Sequence, residues 1–261
     1  MGSASALNRL RQSLAGIDPS LTPALPGQGR EVGLDAGIDA ALGGGLACGA
    51  LHELAPSGPI HLAAASGFAM ALAALSGRGR GETLWIATDF GVCEAGVPYG
   101  PGLDLFGLAV ARLIVLRVPR AVDALWAMEE ALRCTALSSV IAELTGEGVD
   151  ADLTATRRLA LAAREGKSTC LGLLLRHSSP SMPSAATTRW QIAAAPSAPD
   201  RYGGLGRAAF DLTLVKNRRG PSGRWTVTWD HHEHVFHPAI PVGVAAAPLD
   251  RPDRAPLGRA G

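Results

Sequence analysis

Residues 37–54 read GIDAALGGGLACGALHEL, and residues 62–69 read LAAASGFA. Three consecutive glycines, Gly43 to Gly45, and another at Gly49 predict a glycine turn, because glycine tolerates backbone conformations closed to other residues. The apolar run behind them, 50–54, reads as a strand that carries Glu53 into a buried setting, and Ser66-Gly67 open a helix. Working outward, strand-like runs at 50–54, 83–88, 112–117, 139–143 and 170–176 alternate with helical patterns at 66–75, 103–109, 122–134 and 153–165. That rhythm predicts an α/β fold, a mostly parallel sheet flanked by helices. After residue 176 it stops. A Ser/Pro-rich stretch at 177–188 leads to runs at 189–193, 210–215 and 224–229, separated by glycine turns, which read as C-terminal antiparallel strands.

The chain has 261 residues, 24 Lys+Arg against 23 Asp+Glu, and 47% hydrophobic content. Such a balance marks a globular protein and excludes nucleic-acid binding by bulk charge alone. The charge is unevenly spread: residues 81–150 hold 4 basic and 10 acidic side chains, and residues 151–230 hold 12 and 5. Either ordinary solvated faces have segregated, or one end is set to meet an anionic partner. Cys48, Cys93, Cys134 and Cys170 form no C-x-x-C pair and read as buried thiols of a reducing, cytoplasmic environment. No apolar run reaches the ~18 residues of a membrane span, and 62–75 reads as a buried helix. Residues 1–15, with Leu7, Leu10 and Leu14 on one face, predict an amphipathic helix; 16–36 a Pro/Gly linker; 37–237 the core; and 238–261 a disordered tail rich in Pro and Ala.

The 37–54 segment resembles the entrance to the ATPase core of RecA-type recombinases. Leu42, Gly44, Gly45, Leu46, Gly49, Leu51, Glu53 and Leu54 match a pattern that leads through a strand into the phosphate-binding loop. Leu214-Val215-Lys216-Asn217-Arg218 resembles a basic strand near the end of that core. A working phosphate loop needs glycines to wrap the phosphates, a lysine against their charge and a hydroxyl for Mg²⁺. In its place stand Ser66, Gly67, Phe68 and Ala69, with Phe68 for the lysine and Ala69 for the hydroxyl residue. Losing a charge-assisted contact, about 1.5–3 kcal/mol, together with the metal anchor removes tight binding of ATP·Mg²⁺. What remains is weak anion attraction at a helix start near Gly67. Two acids persist where the resemblance would use them: Asp89 in the water-activating position and Glu143 at the end of the Walker B strand. The expectation is no catalysis and no cofactor.

Among RecA-like proteins the chain most resembles the ImuA family of accessory proteins in damage-induced mutagenesis. The likeness lies in Ala63-Ala64-Ala65-Ser66-Gly67-Phe68-Ala69, Leu84-Trp85-Ile86, Tyr99-Gly100-Pro101-Gly102-Leu103, the run from Ala124 to Cys134, Leu153 to Leu159, and Thr188-Arg189-Trp190. The resemblance implies a noncatalytic RecA-like subunit of a translesion synthesis complex in the SOS response. Its implied partners are RecA, an ImuB-type inactive Y-family polymerase and, indirectly, an error-prone replicative-type polymerase. Arg189, Lys216, Arg218 and Arg219 are then candidates for a basic surface facing a partner or DNA, against the plainer reading of a solvated basic face. DNA contact through 177–188 is expected to be weak, since His177 is its one ionisable side chain. Trp85, Trp126, Trp190, Trp225 and Trp229 read as core. His231, His232, His234 and His237 read as a surface cluster rather than a metal site, lacking a rigid helical frame. Two alternatives stand beside this reading: a divergent RecA-type DNA-dependent ATPase, and a SulA-like cell-division inhibitor recognisable by recovery of FtsZ.

Overall fold

Asp35 starts the first helix by accepting the Gly37 N–H, and α1 (Ala36–Leu42) stops where Gly43 turns left-handed at φ 76°. Gly44 and Gly45 continue at φ 129° and 137°, and a Cβ on Gly45 would stand 2.8 Å from the Val32 carbonyl oxygen, so the reversal requires glycine there. The turn brings β2 (Leu46–Ala47) against β1 (Glu31–Val32). These observations come from a computed structural model that describes residues 29–78, 81–145, 151–165, 170–177, 183–200, 202, 204 and 206–239. The expected N-terminal helix, most of the linker and nearly all of the tail lie outside the described residues. The core begins earlier than residue 37, because Val32 and Leu34 are buried beside α1.

Among the described residues the main sheet has nine strands in the order β11-β10-β9-β8-β3-β7-β6-β4-β5. Its parallel part contains β3 (Ala50–Pro56), β4 (Glu82–Thr88), β5 (Leu113–Val118), β6 (Leu137–Leu144) and β7 (Leu171–Arg176). β8 (Thr188–Ala194) is the pivot: it runs parallel to β3 and antiparallel to β9 (Ala209–Asn217), so the antiparallel additions begin one strand later than expected. β10 (Gly223–Asp230) follows, and β11 (Val235–Pro238) adds a final strand that its run of histidines had concealed. β3, β6 and β7 are buried along their whole length, as central parallel strands covered on both faces must be.

Between the strands lie α2 (Leu62–Gly77), α3 (Asp89–Ala95), α4 (Gly100–Leu105), α5 (Ala121–Ala131) and α6 (Leu153–Glu165). On one face α2 packs with the aromatic side chains of β8–β11; on the other, α5 and α6 bury Ala124, Met128, Leu159 and Ala163. Residues 59–77 are long and apolar enough to cross a membrane, but here most of that stretch is core helix. α4 is short and ends at Leu105 rather than 109, because Gly107 takes a positive φ. Two expectations about the core are corrected. Trp126 projects from α5 into solvent, while Trp85, Trp190 and Trp229 are buried. Cys48 and Cys170 are buried but Cys93 and Cys134 are exposed.

Candidate functional site

In a nucleotide-handling core of this topology the chemistry would gather where β3 hands over to α2, at the carboxyl ends of the parallel strands. The junction is closed by ordinary hydrogen bonds. Ser57 N–H donates to Ile192 O at 2.8 Å, His61 N–H to Gly58 O at 2.9 Å, and His61 Nδ1 accepts the Ala194 N–H at 3.2 Å. A short 3₁₀ turn, Pro59–His61, then runs straight into α2, which begins at Leu62, four residues before the expected Ser66. Only the first four N–H groups of a helix lack internal partners, and those belong to residues 62–65. The anticipated anion site at Gly67 is therefore corrected: Gly67 is helix interior, and a Cβ there would lie 2.8 Å from the Phe106 ring. Phe68 and Ala69 are fully buried and Ser66 half-buried. The Phe68 ring centroid lies 5.5 Å from Phe236, 5.9 Å from Phe210 and 6.2 Å from Trp190.

The two candidate acids reach the same end of the sheet on adjacent strands, β4 and β6, but have separate partners. Glu143 is buried; one carboxylate oxygen accepts the Trp85 indole N–H at 3.1 Å and the other lies 2.6 Å from His177 Nε2. The same Nε2 is 3.1 Å from Thr145 Oγ1, so His177 cannot relay a proton between acid and hydroxyl through opposite ring nitrogens. Asp89 is half-exposed in the first turn of α3 and pairs with Arg117.

The four candidate basic residues do not form one outward surface. Arg189 donates to Glu53 at 2.7 Å and is mostly covered; Arg219 is buried, pairs with Glu31 and donates to Gly45 O at 3.4 Å, tying down the glycine turn. Lys216 Nζ donates to Ser184 O, and its pKa is pushed down to about 8 by burial, with Arg218 and Arg189 adding to the effect. Arg218 remains partly exposed beside them. Sequence reasoning placed Glu53 in a buried strand but missed that it is the hub of this network. Glu53 accepts Arg176 at 3.0 Å, Ser184 at 2.8 Å and Arg189 at 2.7 Å. Burial raises its pKa, but Arg176 and then Arg189 more than offset that and hold it below the ordinary value. On the adjoining position of β3, His52 Nε2 donates to Ala47 O and Nδ1 accepts from Thr188 Oγ1, each at 2.8 Å, and burial pushes its pKa down to about 4. The adjacent His52-Glu53 pair within an apolar strand was the available signal for both.

The histidine run forms the turn between β10 and β11. His234, at φ 52°, stacks on Trp229, and Asp230, Glu233 and His237 bring one possible ligand atom each within 4.8 Å of one another. Asp230 is already engaged by the His232 and Glu233 N–H groups and by Arg207 at 2.7 Å.

No protein-family model matches the chain. Protein ImuA of Caulobacter vibrioides (strain NA1000 / CB15N) is 30% identical over 210 residues, covering 75% of this chain and 81% of the relative, and the same holds for its counterpart in strain ATCC 19089 / CIP 103742 / CB 15. The chain belongs to the ImuA family. The fold of this ImuA-family protein is RecA-like: the crystal structure of the RadB recombinase is similar at TM-score 0.53 and 14% identity, over 79% of this chain and 98% of that one.

Proposed function

We propose that this ImuA-family protein is a noncatalytic, cytoplasmic subunit of a translesion DNA synthesis complex in the SOS response. It acts through protein contacts with RecA and an ImuB-type polymerase homologue, and through the latter with an error-prone polymerase. The observation that carries this reading is the β3–α2 junction, where Gly67 lies in the helix interior and Phe68 and Ala69, fully buried, stand in place of the lysine and the hydroxyl residue that hold a nucleotide. Family membership and the RecA-like fold support the setting. A subunit that keeps the fold without the phosphate chemistry is suited to dock against other proteins.

The test pairs two measurements on the purified chain. Phosphate release, with and without single-stranded DNA, is expected to stay at background, and co-expression is expected to recover RecA and the ImuB-type protein with it. Turnover that disappears in Asp89→Ala and Glu143→Ala would establish the divergent ATPase instead. Recovery of FtsZ, rather than RecA or the ImuB-type protein, from damaged cells would establish the cell-division inhibitor.

A further inference from the structure

The chain's 24 basic side chains are 22 arginines and two lysines, Lys167 and Lys216. Lys216 stands where cations crowd. Its cross-strand neighbour on β8 is Arg189, and Arg218 follows two residues along. Both guanidinium charges act against the ammonium, and the carboxylate that acts for it is Glu53. That carboxylate is already engaged: one oxygen accepts Arg176 and Ser184, the other Arg189. Among the described residues the hydrogen bond that Lys216 Nζ makes is to a neutral acceptor, Ser184 O. An arginine here would keep its charge at every working pH, whereas a lysine can shed it. With its pKa at about 8, about a quarter of the amine is neutral at pH 7.5, against about one part in a thousand for a lysine at the ordinary 10.5.

We propose that Lys216 is a carbamylation site, whose amine adds carbon dioxide and becomes a carbamate held beside Arg189 and Arg218. The lone pair of the neutral Nζ forms an N–C bond to the carbon of CO₂, one C–O π pair moves onto oxygen, and the nitrogen gives up one proton to water. Nothing is oxidised or reduced. The carbamate nitrogen keeps one hydrogen, so the bond to Ser184 O survives, while the new negative charge lies beside two guanidinium groups. Among Glu53, Arg189, Arg218 and this residue, three cations facing one anion become two facing two. An acetyl group would leave an uncharged amide that draws nothing from the arginines, so the cluster favours the anionic adduct. The inference goes beyond the proposed function and stands independently of it.

The full chain, held at pH 7.5 in carbon-13 bicarbonate in a closed vessel, provides the test. Triethyloxonium ion ethylates the carbamate oxygen and makes the adduct permanent, and peptide mass spectrometry then locates it. Lys216 should carry at least about tenfold more label than Lys167 in the folded chain, and the difference should vanish when the labelling is done in urea, where both amines return to the ordinary lysine value. Arg218→Gln should lower the occupancy of Lys216 severalfold, because the amine becomes more basic and the carbamate loses a counterion. An unlabelled Lys216, equal labelling of Lys167 and Lys216 in the folded chain, or an occupancy that Arg218→Gln leaves unmoved overturns the proposal.

Discussion

The junction from β3 to α2 and the charged rim shared by β3, β6, β7 and β8 are neighbouring parts of one sheet, and they are stabilised in opposite ways. At the junction the packing is apolar: Phe68 fills an aromatic cluster, Gly67 admits the Phe106 ring, and the Ser57 amide bonds to Ile192 of β8. At the rim charge is kept but turned inward, with Glu53 gathering Arg176 and Arg189, and Glu143 facing His177. The difference teaches that neighbouring parts of one sheet need not be stabilised alike. A buried phenylalanine needs no counterion, whereas a buried carboxylate is held by the arginines whose charge it neutralises.

The largest effect is expected from trying to put the lysine back. Removing a buried phenylalanine costs about 3–5 kcal/mol, and an unpaired ammonium among Phe210, Phe236 and Trp190 adds several more, which rivals the ~5–15 kcal/mol that holds a domain together. Phe68→Lys should thus lose its cooperative unfolding transition in denaturant and gain no nucleotide affinity. A folded Phe68→Lys that binds ATP would collapse the comparison.

At the rim, the matching test is Glu53→Gln. It strands two buried guanidinium groups, for which about 3–5 kcal/mol is expected by urea unfolding. Glu143→Gln should cost less, about 1–2 kcal/mol, because its partner is a histidine that carries no charge when deprotonated. Equal losses would mean that the rim carboxylates are not distinguished by their counterions. The pH dependence has a definite sign. Glu53 titrates lower in the folded state than its ordinary 4.5, so its contribution is present above that pH and is lost as pH falls through the folded value.

His52 acts over a separate window. Its folded pKa of about 4 lies below the ordinary 6.5, so on acidification the unfolded chain takes up the proton first and stability falls between those values. The gap corresponds to about 3 kcal/mol. Unfolding free energies of the wild type and His52→Gln should therefore converge as pH drops from 6.5 toward 4; curves that stay parallel would remove His52 from the account.

Much of this molecule was legible in its sequence. The glycines at 43–45 announced their turn because other residues rarely adopt such angles in succession, and Glu53 in an apolar strand announced a buried carboxylate. The parallel strands showed as continuous apolar runs. Partners across the sheet were not legible: nothing near Arg189 or Arg219 in sequence says that Glu53 and Glu31 lie beside them, at separations of 136 and 188 residues. A basic stretch therefore read as surface when part of it is internal. Trp126 failed for a related reason. Helical spacing places it on α5, but whether another element covers that side depends on tertiary packing.

Asp89 provides the smallest and most discriminating test of the rim. Unlike Glu53 and Glu143 it has a surface partner, Arg117, with about half of each side chain exposed. Exposed pairs contribute about 0.2–1 kcal/mol, and an acid in the first turn of a helix adds a similar amount through the helix dipole. If the rim acids persist as internal counterions, Asp89 is the one with least reason to be kept. Asp89→Ala should then shift the urea midpoint only slightly and leave damage-induced mutagenesis at its wild-type frequency. A large fall in mutagenesis with normal stability would mean that Asp89 meets a partner or a reacting group, and the rim would have to be divided between residues that hold the fold and one that serves the complex.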